Sequence, residues 1–90
     1  MTYSVKLSPH AAKQYRKLDP AITPALVGGL DALQRQPLTG PKIKRLKGRL
    51  REYYRYRVGD YRIVYSVANH ERIVYVDYIQ HRKTIYRDMK

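Results

Sequence analysis

The 90-residue chain contains no cysteine, no phenylalanine and no tryptophan, and sets 7 acidic residues against 19 lysines and arginines. Without cysteine there is neither a disulfide framework nor a thiolate zinc site. The carboxylates are few and scattered, and no histidine or carboxylate pair has ligand spacing, so neither a metal nor another cofactor is expected. No apolar window is long enough to cross a bilayer, and the opening MTYSVKLS lacks the basic stretch and long apolar run of a signal peptide. The expected location is cytoplasmic, with no membrane partner. With Phe and Trp absent, the 10 tyrosines must supply both the aromatic core and any stacking surface.

What is present is positive charge. The net charge of +12 and pI of about 10.2 favour a polyanionic partner, nucleic acid or a strongly acidic protein. A membrane surface fits less well, because the charge collects on predicted strands and a loop rather than opposite an apolar helix face. The length suits one domain, residues 1–90, with a modest core.

The chain is organised around residues 50–67, LREYYRYRVGDYRIVYSV, which alternate with period two about Gly59-Asp60. Gly first in a two-residue turn predicts a type II′ hairpin. That turn pairs Val58 with Tyr61, Arg57 with Arg62, Tyr56 with Ile63, Arg55 with Val64 and Tyr54 with Tyr65. One face then carries Tyr54, Tyr56, Val58, Tyr61, Ile63 and Tyr65, and the other Arg51, Tyr53, Arg55, Arg57, Arg62 and Ser66. Like charges directly opposite each other destabilise a strand pair, a cost more readily tolerated if an anion sits between Arg57 and Arg62. A solvated face is the ordinary explanation for one arginine, but several converging arginines point to an anion-binding surface.

Elsewhere TYSVKL at 2–7 predicts a strand with one buried face, and Ser8-Pro9 an N-cap and first helical residue for an amphipathic helix to Leu18. Asp19-Pro20 repeats that start signal for a second helix from about Pro20 to Gln36. Gly28 and Gly29 within it are explained by close packing. LTGPKIKRLKGR reads as a loop delivering Lys42, Lys44, Arg45, Lys47 and Arg49 to the hairpin; with Arg51 these are the expected RNA-backbone contacts. Arg72 to Ile79 predict a final strand, with Val74, Val76 and Tyr78 on one face and Ile73, Tyr75, Asp77 and Ile79 on the other. The tail HRKTIYRDMK is expected to close as one helical turn beside the arginines. The expected fold is α+β: an N-terminal strand, two helices packed on one sheet face, then a three-stranded antiparallel meander whose opposite face is open.

This order, the basic KRLKGRL, the segment YRYRVGDYRIVYSV and the terminal HRKTIYR together resemble the RelE/ParE superfamily of type II toxins, most closely its RelE branch of ribosome-dependent mRNA endonucleases. GDYRIVY and HRKTIY are the most specific matches. The resemblance implies that Arg55 and Arg57 occupy the substrate-facing strand, that Arg62 contacts the scissile phosphate, and that Arg82 and Tyr86 form a carboxy-terminal catalytic pair. His81 stands where several branches place a proton-transferring histidine. The resemblance further implies an antitoxin partner with an acidic, RelB-like helix, and action on mRNA in the ribosomal A site.

Such RNA cleavage needs charge stabilisation at the pentavalent phosphate, a group to take the 2′ proton and one to protonate the leaving oxygen. Arginine suits the first task and is a poor base. Proton transfer is left to His81, whose imidazole can serve as base or acid, or to Tyr86, which serves if neighbouring arginines ease the loss of its phenol proton. Tyr53 and Tyr61 are available to stack on bases, while Tyr54, Tyr56, Tyr65 and Tyr75 are assigned to the core, and His10 and His70 to solvent. Two other functions remain open on sequence: a non-enzymatic inhibitor of DNA gyrase of the ParE type, and an RNA-binding module without chemistry.

Overall fold

The computed structural model describes residues 2–81. The expected turn over the tail, and Arg82 and Tyr86 with it, lie outside these residues. The chain runs β1 (Ser4–Leu7), α1 (Pro9–Arg16), α2 (Thr23–Arg35), β2 (Ile43–Arg45), a 3-10 turn (Gly48–Leu50), β3 (Tyr54–Val58), β4 (Tyr61–Ala68) and β5 (Ile73–His81). These strands form one mixed sheet in the order β1-β5-β4-β3-β2, with β1 parallel to β5 and the other pairs antiparallel. Both helices lie on one face of it, giving the α+β architecture expected.

Local chemistry fixes most boundaries. Ser8 caps α1 by accepting a hydrogen bond from the Ala11 N–H at 2.9 Å, with Pro9 following as first helical residue. α2 begins at Thr23 rather than Pro20, because Asp19 is used in a preceding turn. Its carboxylate accepts from the Ala21 N–H at 2.9 Å, and its carbonyl from the Ile22 N–H. Leu26 and Leu33 of α2 are fully buried, and Gly29 lies between them on the same face. A Cβ on Gly29 would sit 3.1 Å from both Tyr56 and Val58, so this glycine lets the helix approach β3. Gly28 has open space around it, and the packing explanation does not extend to it.

The segment read as a basic loop contains a strand. Ile43, Lys44 and Arg45 pair with Tyr56, Arg55 and Tyr54, and Ile43 packs against the core. Three residues, two of them basic, are too few to show a period of two in sequence. At its other end the expected hairpin shortens: residues 50–53 leave the strand through the 3-10 turn, and Arg51 is an exposed residue at its end.

The β3–β4 register is the one predicted, pair for pair, from Val58–Tyr61 to Tyr54–Tyr65. Gly59 has φ +57° and Asp60 a negative φ, the sign pattern of a type II′ turn. β5 departs from strict alternation. Val64 pairs with Tyr78 and the adjacent Tyr65 with Val76, which leaves Asp77 as the extra residue of a bulge. Beyond it the phase inverts: Ile79, not Tyr78, joins Val74 and Val76 in the core. Tyr75, between two fully buried valines, faces the other way and is 39% exposed, so it has no core role.

Tyr65 anchors the core. It is fully buried, stacks on Tyr54 at a centroid distance of 5.6 Å and donates its hydroxyl proton to the Pro37 carbonyl at 2.7 Å. Burial of one such large side chain contributes on the order of 2 kcal/mol. Where β1 stops, α1 takes over the edge of β5. The Ser8 N–H donates to Val76 O at 2.8 Å, the Ser8 hydroxyl to Asp77 O at 3.0 Å, and Gln14 Oε1 accepts from the Ile79 N–H at 2.8 Å. No helix among the described residues is long and apolar enough to cross a membrane.

Candidate phosphate-binding face

The sheet face turned away from the helices collects the basic side chains in two cross-strand rows. One row runs Arg57, Arg62, Gln80 across β3, β4 and β5; the next runs Lys44, Arg55, Val64, Tyr78 from β2 to β5. Neighbouring strands lie about 4.8 Å apart, so each row brings its charges within reach of one phosphodiester. Because β4 and β5 are pinned from behind by Ile63, Tyr65 and Ile79, the rows stand on a rigid base.

Exposure varies within the set. Arg57 is exposed and Arg55 half-buried, whereas Arg62 is 5% exposed, and Val64 beside it 2%. The face is therefore less open at its centre than the sequence implies. β4 is the middle strand, and Arg62 is flanked there by Arg57 and Gln80. A guanidinium remains charged in such a site, and in a low-dielectric setting its pull on an anion is stronger than in water. Gln80 Oε1 is buried, with no hydrogen-bond partner among the described residues.

Alternation places Lys44 on this face and Arg45 on the opposite side, where its guanidinium lies 5.6 Å from the Tyr54 ring centroid and donates to the Arg51 carbonyl at 2.8 Å. Lys42, Lys47, Arg49 and Arg51 are exposed around the β2 edge. The expected RNA-contact set thus surrounds the edge rather than sharing one face. His81 is not brought together with Arg62. It pairs with Tyr61 and meets that ring edge-on at 5.4 Å, on the side of Ile63 and Ile79. His10 and His70 are exposed as expected, although His10 also lies edge-on against Tyr78 at 5.2 Å.

One carboxylate enters the arginine face. The bulge turns Asp77 toward Tyr53, and its negative charge, followed by its acceptance of the phenol proton, raises the Tyr53 pKa above its ordinary value. Burial, then the neighbouring Tyr54 and Tyr56, raises that of Tyr65. Sequence reading missed Asp77 here because the bulge has no local signature. It also missed a groove of about 560 Å³ around the edge of β4 beyond the start of β3; Arg45, Glu52, Tyr54, Asn69 and exposed Tyr75 are among the residues that line it. No group of three or more metal-ligating side chains occurs among the described residues.

A small α+β domain with two helices behind a sheet and arginine rows in front is the RelE-like toxin fold. Among solved structures, the chain resembles the RelBE2 toxin–antitoxin complex of Mycobacterium tuberculosis at 29% identity and TM-score 0.81, covering 91% of this chain and 100% of that one. It resembles the archaeal RelE–RelB complex of Pyrococcus horikoshii at 29% identity and TM-score 0.76, covering 91% and 97%. The isolated RelE toxin of Escherichia coli, at 23% identity and TM-score 0.76 over 97% and 94% of the two chains, shares the fold. In sequence, a candidate toxin named RelE1 from Methanocaldococcus jannaschii is 30% identical over 90 residues, 98% of this chain and 99% of that protein. Residues 5–86 match the family model described as the ParE toxin of type II toxin–antitoxin systems, parDE. The chain belongs to this RelE/ParE family and is a type II toxin–antitoxin toxin.

Proposed function

We propose that this toxin is a metal-independent endoribonuclease that cuts mRNA in the ribosomal A site and so stops translation. The observation that carries the reading is the Arg57–Arg62 pair, two like charges held opposite each other on a rigid hairpin with Arg55 and Lys44 in the adjoining row. Arginine pairs of this kind are built for an anion with several oxygens, and a phosphate passing through a pentavalent state gains more from them than a ground-state phosphodiester does. In the proposed reaction the ribose 2′-oxygen bonds to phosphorus and the bond to the 5′-oxygen breaks. The products are a 2′,3′-cyclic phosphate and a free 5′-hydroxyl; the 2′ proton goes to a base and a proton is returned to the leaving oxygen.

In this reading Arg62 and Arg57 carry the phosphate charge and Arg55 supports it, while Arg82 and Tyr86 complete the site. Tyr86 is the preferred proton-transfer group, since His81 lies with Tyr61 across the sheet from Arg62. Lys42, Lys44, Arg45, Lys47, Arg49 and Arg51 would hold phosphates of ribosomal RNA, giving affinity without base choice. The antitoxin would be RelB-like, since the similar structures are toxins in complex with RelB; an acidic helix on it would neutralise the basic surface.

The ParE description of the matching family favours a second reading, a non-enzymatic inhibitor that binds DNA gyrase. The decisive experiment incubates the purified toxin, freed of antitoxin, with an mRNA held on ribosomes and with the same mRNA alone, and maps the cuts. Cuts confined to ribosome-bound message support the endonuclease. A folded protein that stops growth but cuts neither points to gyrase.

A further inference from the structure

The β4 strand outruns its partner. β3 begins at Tyr54, opposite Tyr65, while β4 continues through Ala68, and the space beside Ser66 and Ala68 is the groove of about 560 Å³. That volume lies in the range of small-molecule sites. Ser66 is four residues from Arg62 along β4, about 13 Å at the rise of a strand, so the groove is a short stretch of single strand away from the arginine rows. Its lining differs from theirs: an aromatic ring, a carboxylate and an amide join a single guanidinium, that of Arg45, which is held over Tyr54 and donates to the Arg51 carbonyl.

Each of these groups has a defined disposition. Tyr75 is one of two exposed large hydrophobics among the described residues, on a strand whose neighbouring valines are fully buried. Asn69 accepts the Tyr3 hydroxyl proton on Oδ1 at 2.6 Å, which leaves its amide N–H groups as donors. Its turn is held by the Ser4 N–H to Arg72 O bond at 2.8 Å and by the Arg72 guanidinium 4.8 Å from the Tyr3 ring centroid. Glu52 is exposed and also lines the groove, with two acceptor oxygens.

We propose that this groove is a nucleobase site selective for guanine, with Tyr75 as the stacking platform, Glu52 accepting the base's two adjacent N–H donors and Asn69 donating to its carbonyl oxygen. Among the RNA bases guanine alone presents two neighbouring donors, N1–H and N2–H, beside an acceptor, O6, and a carboxylate meets such a donor pair in bidentate fashion. Splayed single-stranded bases are read in this way, on an aromatic face and through the Watson–Crick edge. The inference rests on the RNA reading above and adds, at the edge beside the arginine rows, a base preference that phosphate contacts cannot supply.

The test uses short 2′-O-methyl oligoribonucleotides, which cannot be cleaved, carrying one guanine, inosine, adenine or abasic position, titrated against the full chain by fluorescence anisotropy. The guanine oligonucleotide should bind about tenfold more tightly than the adenine one, with inosine, which lacks N2–H, between them. Glu52→Gln should abolish the guanine preference while the abasic affinity stays the same. Tyr75→Ala should bring every base down to the abasic level, a loss of roughly fivefold or more. Equal affinity for guanine and adenine, or a preference that survives in Glu52→Gln, overturns the proposal. Because no cut is measured, a toxin that prefers guanine but does not cleave ribosome-bound mRNA would sink the endonuclease reading alone. One that cleaves but binds every base alike would sink the guanine site alone.

Discussion

Arg57 and Arg62 face each other directly across β3 and β4, the first exposed and the second almost wholly buried. Opposed like charges cost a strand pair up to about 1 kcal/mol, a cost that the proposed anion site would account for. Arg57→Ala should therefore raise stability by a few tenths to about 1 kcal/mol in urea unfolding and lower toxicity in a growth assay. A variant both less stable and fully toxic would remove the pair from the site. Arg62→Ala should abolish toxicity while leaving a folded protein by circular dichroism.

The adjacent glycines of α2 should respond in opposite directions. At Gly28 a Cβ meets open space on an exposed helix position, so Gly28→Ala should stabilise by about 0.5–1 kcal/mol. At Gly29 the same methyl would crowd Tyr56 and Val58, and Gly29→Ala should destabilise by about 1–3 kcal/mol. Thermal unfolding of the two variants side by side checks both signs.

Gln14 closes the edge of β5 by accepting the Ile79 N–H. Gln14→Ala should leave that donor without its partner, at a cost of about 1–3 kcal/mol, and should speed hydrogen exchange at Ile79 ahead of its strand neighbours. Unchanged exchange at Ile79 would show that Gln14 does not protect the edge.

Alkaline stability follows from Tyr65. Its folded-state pKa is raised by burial, so the folded chain keeps the phenol proton where the unfolded chain has lost it. The resulting stability is complete below the unfolded pKa of about 10 and declines as pH rises past it. Urea midpoints should fall above that pH. Tyr65→Phe, less stable throughout for want of the Pro37 hydrogen bond, should show a shallower fall.

RNA affinity should fall steeply with salt. Each of Lys44→Gln and Arg49→Gln should lower the slope of log affinity against log salt by about 1 if its side chain meets a phosphate, with weakening uniform across sequences. A slope unchanged in both would restrict the phosphate contacts to other residues.

The sequence by itself determined the hairpin and its register. Gly59-Asp60 sets the turn, and a slip of one residue would turn Tyr54, Tyr56, Ile63 and Tyr65 out of the core, so local chemistry and burial agree. It likewise determined the Ser8 cap, the two helices and the chain order of every strand but β2, because each is written in residues close together in the chain. Only the tertiary structure decided the rest. The bulge at Asp77 puts Ile79 in the core and Asp77 beside Tyr53, and nothing near Asp77 in sequence announces it, since a bulge belongs to a pair of strands and not to one. The three-residue β2 exists because β3 offers it an edge, and Lys44 and Arg45 thereby part to opposite faces. The same applies to the separation of His81 from Arg62 and to the meeting of Glu52, Asn69 and Tyr75 in one groove. These are relations between strands, fixed by pairing and burial across the sheet, and no window of sequence contains both members.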